Sequence, residues 1–260
     1  MKHDPLLKKA LKFVTRRVMK HQLHDLHLPN AKSQAVFLSN YAQIPGSRLA
    51  LLTDGVDCKR FSPGDRRAAR QTLGMEQDKF WIICVAQARP EKRLDWIIRA
   101  AKCVIEARPQ QKIGFLYVGD GDGPLVPQLR QMVVELGLND DFKFFGRQDN
   151  LAPFYQAAEL MVHAAERESF GLAIVEAMAS GLPVVACATA GPSETIRDKE
   201  TGVLVGIDDF DGFVTAILGY VDDRPGTAKH GANARIHAAA NYSIEQYGKL
   251  LAGFVKRFLL

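Results

Sequence analysis

The feature that most restricts this chain is a regular alternation of short β-branched runs with segments of helical period. The runs lie at 81–85, 113–118, 160–163, 184–186 and 203–205, and the helical segments at 92–107, 125–136, 152–157, 171–180, 210–221 and 244–258. Runs such as Trp81-Ile82-Ile83-Cys84-Val85 are apolar throughout, which marks strands covered on both faces. Strands that alternate with helices build βαβ units around a parallel sheet, with right-handed crossovers. The pattern predicts an α/β fold with a Rossmann-like doubly wound domain over residues 47–241. A basic helical arm at 1–46 precedes it, and a helix at 242–260 follows.

Composition supports a soluble globular chain, since 47% of the 260 residues are hydrophobic and 24% charged. The four cysteines, Cys58, Cys84, Cys103 and Cys187, form no C-x-x-C pair and read as small core residues in a reducing compartment. Neither a secretory leader nor a membrane-length apolar run is present, so the expected location is the cytoplasm, with the inner face of the membrane as a peripheral alternative. The net charge of +5 suits an anionic ligand such as a nucleotide diphosphate, and equally nucleic acid or an anionic membrane surface, so charge alone does not choose; a nucleotide-sugar donor is the expected partner and nucleic acid is not. Much of that charge lies in the first twenty residues, where Lys8, Lys9, Lys12, Arg16 and Arg17 interleave with Leu7, Leu11 and Val14. Such an arm reads first as a surface helix and second as a membrane-surface contact.

In a doubly wound sheet, ligands sit beyond the carboxyl ends of the strands, which directs attention to the turns at 86–92, 119–123, 146–150, 164–171 and 187–194. The most informative stretch runs from Glu166 through Glu168-Ser169-Phe170-Gly171-Leu172 to Glu176, then a Gly181-Leu182-Pro183 stop. It reads as a loop and a helix beginning near Gly171, with Glu168 before the helix and Glu176 in its second turn. The N–H groups of Phe170, Gly171 and Leu172 are then free to meet a phosphate, and Gly171 permits a close backbone approach. Carboxylates accept from vicinal sugar hydroxyls while oriented N–H groups take up charge on a departing diphosphate. Taken singly, either glutamate is an ordinary exposed residue. Taken together with the glycine and the helix start, they describe a sugar-nucleotide site.

Several motifs in order resemble glycosyltransferase family 4, retaining enzymes of the GT-B fold. They are Asp54-Gly55-Val56-Asp57 with Phe61-Ser62-Pro63, Pro90-Glu91-Lys92, Val118-Gly119-Asp120-Gly121, Phe145-Gly146, the two-glutamate segment, and Glu194 with Thr201-Gly202. The resemblance implies the C-terminal half of a GT-B fold and transfer of a hexose from a nucleotide diphosphate sugar with retention. It implies that Glu168 faces the transferred sugar, Glu176 binds the ribose, and Ser169, Phe170, Gly171 and Leu172 line the sugar and diphosphate. Lys92 would pair with the diphosphate, Gly119 and Asp120 would border the donor, and Arg147 would lie beside the base. Two departures stand out. Gln87 occupies a position where the family carries arginine, leaving Arg89 as the nearby charge. The family's acceptor-binding first domain is also largely missing.

Asp120-Gly121-Asp122 carries a D-x-D pattern used elsewhere for a cation, yet it sits in a glycine-rich turn, and no metal or other cofactor is expected. Pro124 breaks a dinucleotide-type glycine pattern. His21, His24 and His27 with Asp25 read as exposed positions, while His163 closes a strand at the crevice edge. Two functions remain: a hexosyltransferase acting on a glycan or lipid-linked acceptor, or a nucleotide-sugar-binding module active only with a partner supplying the acceptor domain. Self-association or a separate acceptor subunit is expected to use Leu250, Phe254 and Leu259 on the last helix.

Overall fold

A computed structural model describes residues 27–120 and 125–259, the last three by backbone alone. The basic arm of the first twenty residues, His21, His24, Asp25, the turn at 121–124 and the side chain of Leu259 lie outside the described residues. The chain divides into two compact units, Asp54–Gln246 and a second formed by Met1–Thr53 with Tyr247–Leu260.

In chain order the elements are α1 (Lys32–Asn40), α2 (Arg66–Thr72), β1 (Phe80–Val85), α3 (Leu94–Ala107), β2 (Ile113–Val118) and α4 (Leu125–Glu135). There follow β3 (Phe142–Phe144), α5 (Ala152–Ala157), β4 (Leu160–His163), α6 (Leu172–Ala179), β5 (Val184–Cys187) and α7 (Ala190–Thr195). The last are β6 (Gly202–Val205), α8 (Phe210–Asp222), α9 (Arg224–Asn241) and α10 (Ile244–Leu259).

All six strands are parallel, in the order β3-β2-β1-β4-β5-β6. That is the Rossmann order, and its direction of winding reverses between β1 and β4. Strand β1 is buried at every position because both of its faces are covered. Trp81 and Ile83 join a core with α2, α5, α6 and α9, whereas Phe80, Ile82 and Cys84 join another with α3, α4 and α8. Trp81 faces Gly114 across the ladder, and a Cβ there would stand 2.4 Å from the indole ring, so the glycine makes room for the tryptophan.

The helix expected from residue 92 begins later. Pro90–Lys92 form one 3-10 turn, and Arg93 adopts a left-handed conformation (φ 49°) before α3 starts at Leu94. Sequence periodicity also misses β3 and α9. Asp223 caps α9 by accepting from Gly226 N–H, and Gly231, Ala234 and Ala238 face inward. A Cβ at Gly231 would meet the Gly181 carbonyl at 2.2 Å, so small residues let α9 approach the end of α6. Arg235 then donates to the carbonyls of Cys58, Phe61 and Ala179, fixing α9 to the segment before the first strand.

In the other unit, His27 pairs in parallel with Leu49, and α1 carries a stacked Phe37–Tyr41 pair at 5.0 Å. Of the residues expected to serve self-association, Leu250 and Phe254 are half-buried, and among the described residues the large exposed apolar side chains of α10 are Ile244 and Val255. Among the described residues, no helix is long and apolar enough to cross a membrane.

Candidate donor site at the carboxyl edge of the sheet

The reversal point brings together the turn after β1 and the loop after β4, two segments far apart in sequence. Lys92 Nζ donates to Glu168 Oε2 at 2.7 Å. The side chains are only 20% and 15% exposed, so water screens the pair weakly. His163, at the buried end of β4, brings Nε2 to 3.3 Å from the same oxygen, without the alignment of a hydrogen bond. Burial pushes the Glu168 carboxyl up, but His163 and Lys92 together outweigh it and hold it at about 2. Glu168 is therefore an anion across the physiological range.

Arg93 fastens this arrangement from behind. Its guanidinium donates to Glu166 at 3.1 Å, to Asp208 at 2.9 Å and to the Ile207 carbonyl at 2.6 Å, and it lies 4.7 Å from the Trp96 ring centroid. Glu166 N–H donates in turn to the Glu91 carbonyl at 2.9 Å. These contacts hold a non-glycine residue in a conformation that ordinarily costs about 1–2 kcal/mol.

Helix α6 starts one residue later than its sequence suggests, with Gly171 as the left-handed residue before it (φ 89°). A Cβ at Gly171 would approach Ile174 Cδ1 to 2.9 Å, so backbone conformation and packing call for this glycine without reference to a ligand. Among the described residues, no acceptor takes the N–H groups of Phe170, Gly171 and Leu172. Phe170 is buried edge-on against Tyr242, whereas Ser169 and Leu172 are exposed. Gly191 supports the loop from α7, donating its N–H to the Glu168 carbonyl at 2.8 Å. A Cβ on Gly191 would lie 2.7 Å from the Phe170 backbone.

Glu176, in the second turn of α6, is half-buried and accepts from the Tyr155 hydroxyl at 2.9 Å. Burial raises its carboxyl above the usual range, opposed by Tyr155 and the charge of Arg60. Arg60 also donates to the Asp149 carbonyl at 2.7 Å, linking it to the turn that carries Arg147.

The turn after β2 joins the same edge. Gly119 has φ 149°, and a Cβ there would fall 1.9 Å from the Ala86 carbonyl, so only glycine fits. Its N–H donates to the Gly146 carbonyl at 2.9 Å, while Ala88 N–H donates to the Asp120 carbonyl at 2.7 Å. Gln87, Arg89, Asp120 and Arg147 are all exposed on these turns. The structure thus joins Lys92, Glu168 and the 169–172 loop directly, with Gly119 stitched into the neighbouring turns. Among the described residues, the side chains of Arg89 and Arg147 have no bonded partner within the site, although Lys92 N–H donates to the Arg89 carbonyl at 2.9 Å. Sequence reasoning missed Tyr155, Arg93 and Gly191. The only trace of the first is a hydroxyl-bearing residue in a short apolar helix.

The family model for glycosyl transferases group 1 matches residues 65–237. The chain is 32% identical over 218 residues to the lipopolysaccharide core biosynthesis mannosyltransferase LpsB of Rhizobium meliloti, covering 82% of this chain and 61% of that protein. It is 36% identical over 206 residues to the D-inositol 3-phosphate glycosyltransferase 2 of Catenulispora acidiphila, covering 76% of this chain and 48% of that protein. The chain therefore spans about half to three-fifths of the length of these curated relatives. Anabaena HepE in complex with UDP-glucose superimposes with a TM-score of 0.84, covering 94% of this chain and 67% of that one at 23% identity. That likeness shows the fold, the C-terminal half of GT-B. With the family model spanning most of the sheet domain, the chain belongs to the group 1 glycosyltransferases.

Proposed function

We propose that this chain is the donor-binding half of a retaining hexosyltransferase of glycosyltransferase family 4. It takes a hexose from a nucleotide diphosphate sugar and passes it to a glycan or lipid-linked acceptor held by a second domain or subunit. The observation that carries this reading is the Glu168–Lys92 pair at the reversal point of the sheet, beside the row of open N–H groups at 170–172. In this reading Glu168, ionised at neutral pH, accepts from hydroxyls of the transferred sugar. The open amides receive the diphosphate, whose charge grows as the glycosidic bond breaks, and Lys92 with Arg89 adds positive field. Ser169 and the turn at Gly119–Asp120 border the donor, Glu176 takes the ribose and Arg147 flanks the base. No metal is required, because the amides and cations supply the stabilisation a cation provides elsewhere. The four cysteines are all free, in keeping with work on the cytoplasmic side.

A carboxylate that accepts from two ribose hydroxyls in a half-buried crevice contributes about 2–4 kcal/mol. Calorimetric titration with UDP, GDP and ADP tests the assignment. Glu176→Ala should weaken the nucleotide that binds at least tenfold, and unchanged affinity in a folded variant would remove Glu176 from the ribose site.

A further inference from the structure

We propose that Tyr155 is a positioning residue that sets the Glu176 carboxylate for a vicinal diol and thereby determines preference for ribonucleotides over nucleotides lacking that diol. The inference rests on Glu176 as the ribose-reading carboxylate. Tyr155 lies in α5, on the chain between β3 and β4, and is 0% exposed. Its ring packs edge-on against Phe61 at 5.9 Å, which leaves the hydroxyl little freedom. That hydroxyl has one proton and two acceptors in reach: Glu176 Oε2 at 2.9 Å and the Ala173 carbonyl at 3.2 Å.

The second acceptor separates positioning from stability. A buried tyrosine hydroxyl needs one partner, and the Ala173 carbonyl, in α6 one turn before Glu176, supplies one without Glu176. The shorter bond to Oε2 therefore does more than satisfy the tyrosine. It occupies one lone pair of that oxygen and restricts rotation of the carboxylate, leaving Oε1 and the other lone pair of Oε2 for a ligand. Two neighbouring hydroxyls demand that orientation, because a rotated carboxylate meets one and loses the other. A glutamate side chain has broad freedom about its last torsion, so a rigid donor on one oxygen is what restricts it. Arg60 acts on the same carboxylate through its charge. A charge attracts without fixing a plane, so the orienting role falls to Tyr155.

The test is a cycle of protein and ligand. Affinities of the wild type, Tyr155→Phe and Glu176→Ala are measured for the nucleoside diphosphate that binds tightest among UDP, GDP and ADP, and for its 2′,3′-dideoxy analogue. The wild type should prefer the ribonucleotide at least tenfold. Tyr155→Phe should cut that preference about threefold to tenfold while leaving dideoxy affinity unchanged, the effect of one well-placed hydrogen bond. Equal weakening of both ligands would make Tyr155 merely structural and overturn the inference. A preference lost in Glu176→Ala but intact in Tyr155→Phe overturns it while sparing the ribose assignment. A wild type with no preference sinks both. Should Tyr155→Phe fail to fold, 3-fluorotyrosine, a stronger hydroxyl donor, is incorporated instead. The diol preference must then rise, and an unchanged one refutes the proposal.

Discussion

Replacing Lys92 with methionine removes one positive partner of Glu168 while keeping the aliphatic stem that fills the space. A glutamate normally titrates near 4.5, and this one is held at about 2. A depression of that size corresponds to about 3 kcal/mol of differential stabilisation. The folded-state value lies below the unfolded one, so the contribution is complete above pH 4.5 and disappears as pH falls toward 2. Lys92 at 2.7 Å shares it with His163 at 3.3 Å. Lys92→Met should therefore cost about 1–2 kcal/mol at pH 7, with burial of the carboxylate then only partly compensated. The assay is urea unfolding from pH 7 to pH 3, paired with carbon-13 carboxyl titration of Glu168. The expected gap between wild type and variant is widest at neutral pH and narrows below pH 4.5, while the Glu168 titration moves up. A gap that stays constant over the whole range, or an unmoved titration, would refute the electrostatic account of the pair.

Donor affinity should survive excess EDTA, measured by the same calorimetry. Abolition by EDTA, reproduced by Asp120→Asn, would show that the Asp120-Gly121-Asp122 turn holds a cation. Gly191→Ala forces a methyl onto the Phe170 backbone, so nucleotide affinity should fall about tenfold and the melting temperature should drop; a variant unchanged in both would mean that the loop shifts freely. The purified chain, which spans about half to three-fifths of the two curated relatives compared, should show little sugar transfer by itself, because rate depends on holding the acceptor in a closed cleft. Turnover and mass recorded on one sample decide this, and a strict monomer transferring at ordinary enzymatic rates would contradict it.

The sheet was legible wherever burial is two-sided, because β1 and β2 are unbroken apolar runs that no amphipathic helix would produce. The three-residue β3 is too short to carry a period. Helix α9 hides behind its composition: its inward positions are glycine and alanine, so close approach to α6 replaces the bulky stripe that marks most helices. At the site, the two glutamates could be read because one loop-to-helix stretch contains both. Their partners could not. Lys92 meets Glu168 across 76 positions and Tyr155 meets Glu176 across 21, distances that only the folded strand order spans. Gly171 also has a requirement of its own that no spacing in the sequence announces, a left-handed φ of 89° that a side chain rarely adopts.

Arg93 joins three loops of the rim through one guanidinium. Its guanidinium bonds segments after β4 and β6 from a backbone position just after the β1 turn, so opening one means breaking contacts that also steady the others. Native-state hydrogen exchange should show these segments opening with a common free energy. The rim of the crevice would then breathe as one piece, admitting and releasing a ligand by a concerted step in which the strained turn at residue 93 relaxes and re-forms.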